Sequence, residues 1–231
     1  FTKVFAISKN TKNDIIKFTD CPEEKIEVIM ESTEDFFDNS SIDKKKICKK
    51  YNIPFDKKKI LISGNIFYKN NDVAYKVLEK INNIDKNIIF IHIGSGNKNI
   101  KISDHLKNYV IKLPFVDKKE VPNIYKVSDI LFFPSIYEGF GMPLLEAMSC
   151  GVPVICSNNS SLPEVVGDVA LMSNCNDVEK FTIDILKILN DKELYLSMVN
   201  RSLKRAEIFN PSKFHDNIIK IYQEELDKLN Y

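Results

Sequence analysis

Two carboxylates eight positions apart, Glu138 and Glu146, lie in the stretch EGFGMPLLEAMSCGVPVI, residues 138–155. Gly139 and Gly141 between them have no side chain, so a ligand can approach the backbone closely. Pro143 suits a first helical turn, where its missing N–H costs nothing. The N–H groups at the start of such a helix attract an anion, and a diphosphate fits that place. A carboxylate can accept both vicinal hydroxyls of a ribose, and a second one beside a sugar ring can accept a hydroxyl or stabilise developing positive charge. With Glu138 on the loop and Glu146 about one turn into the helix, both can face one cleft. Spacing leaves an alternative open, in which Glu146 is an exposed helix residue and Glu138 a partner of the helix dipole.

The elements that must position these residues follow from the hydrophobic pattern. From residue 59 onward, short β-branched runs alternate with longer helical patterns, as in βαβ units and parallel sheets. Strands are predicted over 60–63, 88–93, 109–113, 130–133, 152–156 and 169–172, and helices over 72–83, 118–127, 142–149, 161–166 and 177–189. IIFIHI and ILFFP are continuous apolar runs, as strands buried on both faces are. The expected fold class is α/β, a Rossmann-like doubly wound parallel sheet. The loop at 138–141 then occupies the crevice at the carboxyl ends of the strands, where open sheets bind ligands. Beyond Met172 the pattern is wholly helical, through 177–190, 192–209 and 211–229, with Pro211 restarting a helix after Asn210. The first 58 residues read as a strand over 3–8, a helix over 12–18, a strand over 26–29 and a lysine-rich helix over 42–51.

The chain has 33 Lys+Arg against 32 Asp+Glu, so its overall field gives no reason to expect nucleic acid as a partner. A local cluster formed by Lys44 to Lys46, Lys49, Lys50 and Lys57 to Lys59 reads as a solvated face or as a surface for anionic headgroups. The cysteines Cys21, Cys48, Cys150, Cys156 and Cys175 form no C-x-x-C pair and have no His at zinc spacing. Neither a metal site nor a disulfide framework is therefore expected, and reduced thiols in a cytoplasmic protein are. The N-terminus has no signal-peptide pattern, and no run approaches the roughly 20 apolar residues of a membrane span. A chain that starts at Phe1 reads as a fragment. Ser161 and Glu164 match the S-x-x-E capping box. His92 falls in a buried strand and reads as a packed core residue, whereas His105 and His215 show no partner. GSG at 94–96 is too short for a nucleotide fingerprint, and neither G-x-G-x-x-G nor G-x-x-x-x-G-K-[ST] occurs.

The stretch from Glu138 to Ile155 resembles the E-x7-E motif of glycosyltransferase family four, and its surroundings agree in order. ISGN at 62–65, followed by KNN at 69–71, resembles the family's glycine loop with its basic residues. IHIGSG at 91–96 resembles its second strand and turn, FFPSIYEGFG at 132–141 the strand before the motif, and SNNSSLPEVVGDVAL at 157–171 continues the match. Upstream, VFAISKNTKNDIIKF and EEKIEVIMES resemble the last strand, helix and linker of the family's N-terminal domain. The resemblance implies three parts: a remnant of that domain at 1–58, a nucleotide-sugar-binding domain at 59–205 and a C-terminal helix at 206–231. Together these make the donor-binding half of a GT-B fold with a helical tail.

The resemblance also implies the chemistry. The donor would be a nucleoside diphosphate sugar such as UDP- or GDP-hexose, with Glu146 on the ribose and Glu138, as catalytic residue, near the donor sugar or the leaving diphosphate. Gly64, Asn65, Lys69, Gly139, Phe140, Gly141 and Met142 would surround the sugar and phosphates. No metal and no separate cofactor is implied, since helix amides and a lysine can offset the diphosphate charge. Family members usually carry an Arg and a Lys after the first strand. This chain has Lys69 alone, flanked by Tyr68 and Asn70, so either the loop is one residue shorter or one cation is missing. The reaction implied is hexosyl transfer to an acceptor hydroxyl with retained configuration, through an oxocarbenium-like centre. A glycan or lipid-linked acceptor, and peripheral association of the full-length protein with the cytoplasmic membrane face, follow from the family's frequent place of work. With most of the acceptor-binding domain outside this sequence, the chain is expected to bind donor but to turn over poorly or not at all. Two other readings stay open: a nucleotide-sugar-binding module without catalysis, which the thin basic loop favours, and a same-fold nucleotide-sugar hydrolase or epimerase.

Overall fold

A short βαβ unit opens the chain in the computed structural model, which describes residues 2–96 and 102–229. Strands β1 (Val4–Ala6) and β2 (Ile26–Val28) pair in parallel, connected by helix α1 (Lys9–Phe18). This helix starts three residues earlier than the 12–18 expected, because the Ser8 hydroxyl accepts the Thr11 N–H and caps it. An irregular linker then leads to α2 (Lys44–Lys50), capped by the Asp43 side chain.

The rest of the chain alternates strands and helices: β3 (Lys58–Ser63), α3 (Asn71–Ile84), β4 (Ile88–Ile93), β5 (Val110–Leu113), α4 (Val121–Val127), β6 (Ile130–Phe133), α5 (Met142–Ser149), β7 (Val154–Ser157), α6 (Leu162–Val166) and β8 (Leu171–Ser173). Three helices follow, α7 (Val178–Asn190), α8 (Lys192–Ala206) and α9 (Pro211–Leu229). Strands β3 to β8 form one parallel sheet in the order β5-β4-β3-β6-β7-β8. The chain builds outward from β3 to β5, then crosses back and builds the other way from β6. Between β3 and β6 the order reverses, and loops leaving their carboxyl ends diverge to open a crevice.

Side-chain alternation along the strands feeds two cores. Ile60, Ile62, Phe90 and Phe132 pack under α3 and α7, whereas Leu61, Ile91, Leu131 and Phe133 pack under α4, α5 and α6. Every residue of β4 and β6 is buried, as the unbroken apolar runs require. The ring of Phe132 meets Phe90 at 6.4 Å and Phe181 at 4.9 Å, edge to face, locking α7 onto the sheet.

Departures from the expected boundaries have local causes. Strand β7 begins two residues late because Gly151, at φ +68°, turns the chain out of α5, and the Val152 N–H bonds back to the Ala147 carbonyl. The segment 118–127 divides into a 3-10 turn, Lys118–Glu120, and then α4, with Pro122 in its first turn. Helix α9 returns to the first unit, where Tyr222 meets Phe5 edge to face at 6.0 Å. No helix among the described residues is long and apolar enough to cross a membrane.

Candidate functional site

The crevice between β3 and β6 is built from the loops that follow them. On the β3 side, Gly64 adopts φ +85°, and a Cβ placed there would lie 3.1 Å from the Lys69 side chain. The lysine stem therefore rests directly on the glycine. Asn70, in the left-handed conformation at φ 57°, donates to the carbonyls of Pro134 at 3.1 Å and Cys175 at 2.8 Å, which fastens this loop to the end of β6. The Lys69 ammonium is thereby aimed at Glu138, 2.8 Å away, with the two side chains 13% and 12% exposed. It also sits 4.5 Å from the centre of the Phe133 ring, a favourable place for a cation. Ser135 Oγ lies 2.6 Å from the same carboxylate oxygen and 2.8 Å from the Tyr68 carbonyl, with a single proton for the two acceptors.

On the β6 side, the carbonyls of residues 138–140 all turn inward to hydroxyls. Ser161 Oγ lies 2.9 Å from Glu138 O and 2.8 Å from Phe140 O, with one proton between them, and Gly139 O accepts from Ser8 at 2.6 Å and Thr11 at 3.0 Å. The Glu138 N–H donates to Ser160 Oγ at 2.9 Å. The N–H groups of Gly139, Phe140, Gly141 and Met142 make no hydrogen bond to the protein among the described residues. A loop whose carbonyls are tied back leaves its amides to face an anion. Gly141 caps α5 at φ +110° without a side-chain cap, and a Cβ there would meet Leu162 Cδ2 at 2.8 Å.

Glu146 lies on α5, half-buried behind this loop. Burial holds its carboxyl above the usual glutamate range, opposed by the Tyr125 hydroxyl and by the charges of Lys118 and Lys69. Tyr125, fully buried in α4, donates to Glu146 Oε2 at 2.7 Å. Glu146 is thus not an exposed helix residue, and the Glu138 carboxylate is engaged by Lys69. Lys69 pairs with Glu138, and its charge is among those that oppose the rise of the Glu146 carboxyl.

Of the residues expected at the site, Gly64, Lys69 and Glu138 are brought together, Gly139, Gly141 and Met142 follow Glu138 along the loop into α5, and Glu146 lies further along α5 against Tyr125. The Asn65 amide instead donates to the Ser95 carbonyl at 2.6 Å, joining the loops after β3 and β4. The Phe140 side chain is buried against Phe209 at 5.8 Å, so only its backbone can meet a ligand. The capping box is corrected. Ser161 makes no side-chain cap, because its hydroxyl serves Glu138 and Phe140, and Glu164 instead accepts the N–H groups of Lys9 and Asn10 at 2.9 and 3.0 Å, capping α1 of the first unit. His105 does have a partner, Glu79, at 3.3 Å on the surface. Ser8, Thr11, Tyr125, Ser135 and Ser160 were not legible as site residues. Lone hydroxyls separated by up to a hundred and fifty positions carry no spacing pattern; the φ of +50° that turns Ser160 toward Glu138 has no sequence mark either.

A family model described as glycosyl transferases group 1 matches residues 43–205. Among curated proteins, the O-antigen chain mannosyltransferase B of Escherichia coli is 40% identical over 117 residues, covering 51% of this chain and 31% of that protein. Among solved structures, a glycosyltransferase from Rickettsia africae superposes with a TM-score of 0.83 at 23% identity, over 97% of this chain and 64% of that one. An Anabaena protein solved in complex with UDP-glucose gives a TM-score of 0.84 at 16% identity, over 96% of this chain and 64% of that one. These two likenesses carry the fold. The chain spans about a third of the length of that curated relative.

Proposed function

Because this chain belongs to the group 1 glycosyltransferases, we propose that its crevice binds a nucleoside diphosphate sugar and supports transfer of the hexosyl group to an acceptor hydroxyl with retained configuration. The observation that carries this reading is the row of unpartnered amides at 139–142 beside the Lys69–Glu138 pair, at the point where strand order reverses. Unpartnered amides following Glu138 and the ammonium paired with it suit a diphosphate, whose charge grows as the sugar–oxygen bond breaks. Glu146, with one oxygen held by Tyr125, offers the other to the ribose hydroxyls. Glu138, beside the row of amides, is placed to meet the donor sugar and the positive charge that develops at its anomeric carbon. Lys69 answers to Glu138 in the free protein and turns to the diphosphate in the complex.

The E. coli relative is named as an O-antigen mannosyltransferase, which supports a glycan or lipid-linked saccharide as acceptor. The first unit touches the donor loop through Ser8 and Thr11, so acceptor groups carried on that side would reach the sugar directly. Calorimetric titration with UDP, GDP and ADP and their hexose conjugates tests the reading. Saturable binding by one nucleotide series, weakened at least tenfold in Glu146→Ala, is expected. No saturation at millimolar ligand would refute it.

A further inference from the structure

His92 is the polar side chain of β4, fully buried, and the proposed reaction gives it no task. Its Nε2 lies 2.7 Å from the Gly64 carbonyl oxygen and its Nδ1 2.7 Å from the Tyr75 hydroxyl. A carbonyl can only accept, so Nε2 carries the proton and Nδ1 accepts from Tyr75. Burial keeps the ring neutral, lowering its proton affinity. Asn71 Nδ2 donates to the same carbonyl at 3.0 Å, so both lone pairs of Gly64 O are engaged. Burying an imidazole costs desolvation that an isoleucine in this strand would not. What His92 adds over its apolar neighbours is this pair of hydrogen bonds.

Gly64 is also the floor on which the Lys69 stem lies, and that stem ends in the ammonium 2.8 Å from Glu138. A glycine at φ +85° can rotate the peptide plane that carries this carbonyl more freely than other residues, and such a rotation redirects the chain that runs from Gly64 on to Lys69. We infer that His92, acting through the Gly64 carbonyl, is a positioning residue for Lys69: it fixes the peptide plane that holds the lysine stem and so sets where the ammonium meets a diphosphate. The inference rests on the donor reading above and deepens it. Tyr75 is part of the device, because its hydroxyl donates to Nδ1 and holds the ring in place.

The test compares the unchanged chain with His92→Gln, His92→Asn and His92→Leu, titrated with UDP, GDP and ADP and the corresponding monophosphates. The amide nitrogen of Gln reaches the place of the histidine Nε2, whereas that of Asn reaches only the place of Nδ1. A well-placed Lys69 shows as a preference for diphosphate over monophosphate. The Asn and Leu variants are expected to lose that preference by roughly tenfold with monophosphate affinity unchanged, and Gln to keep it within about twofold. Tyr75→Phe, which preserves the packing but leaves Nδ1 without its donor and the ring less firmly held, is expected to lower it by about two- to threefold and serves if the Leu variant does not fold. Undiminished preference in both the Asn and Leu variants, or equal loss for mono- and diphosphate, overturns the inference while leaving the donor reading intact. Absence of binding to the unchanged chain overturns both.

Discussion

Replacing Lys69 by methionine removes an ammonium whose partner, the Glu138 carboxylate, then stays behind at 12% exposure. Stranding one member of a buried pair costs about 3–5 kcal/mol when nothing else compensates it. Here the Ser135 hydroxyl remains at 2.6 Å and some water reaches the carboxylate, which brings the expected loss down to about 2 kcal/mol. For a chain of this size that is a fall of roughly 4–8 °C in Tm. The second step separates stability from function. Glu138→Gln in the Lys69→Met background removes the stranded charge and restores most of the lost stability, yet leaves the crevice without its cation. Diphosphate affinity is therefore expected to drop about tenfold or more in both the single and the double variant. Thermal melting and calorimetric titration of the four proteins of this cycle give both quantities. If Lys69→Met melts within about 1 °C of the unchanged chain, or the double variant melts no higher than Lys69→Met, the pair does not have the character argued for it.

Other consequences concern the same loops. Burial raises the Glu146 pKa above 4.5, and the ionised form is the better acceptor, so affinity for a nucleoside diphosphate hexose should fall on acidification while an ordinary glutamate would still be charged; calorimetry across pH, with Glu146→Gln flattening the step, checks it. The raised value also means that Glu146 favours the folded state below its unfolded pKa and loses that contribution as pH rises through the folded one. Glu146→Gln should accordingly raise the neutral-pH Tm while weakening donor affinity at neutral pH about tenfold. Gly141→Ala forces a side chain into φ +110° and against Leu162; a loss of about 1–3 kcal/mol is expected in denaturant unfolding. Glu164→Ala removes the acceptor for two α1 amides, costing about 1 kcal/mol, and should speed hydrogen exchange at Lys9 and Asn10 without changing nucleotide affinity.

The sequence by itself determined the parallel sheet, the glycine-containing loop after β6 and the positions of the two carboxylates beside it, because each is a local pattern. Strands β4 and β6 are unbroken apolar runs, and α5 begins with a glycine and a proline at fixed offsets from Glu138. Residues 2–58 were legible as elements for the same reason, apart from the Ser8 cap that lengthened α1. What the tertiary structure alone decided are the long-range partners. Glu164 resembled a cap for its own helix and serves α1 instead, since that helix N-terminus is brought against it while Ser161 is taken up by the carbonyls of Glu138 and Phe140. His92 was legible as buried, but its grip on Gly64 depends on β3 and β4 lying side by side. Tyr125 fixes Glu146 only because α4 and α5 pack on the same face of the sheet. Hydrophobic periodicity is short-ranged, so it marks which residues go inside; it does not say which polar groups meet there, and at this site those meetings decide where the charges stand.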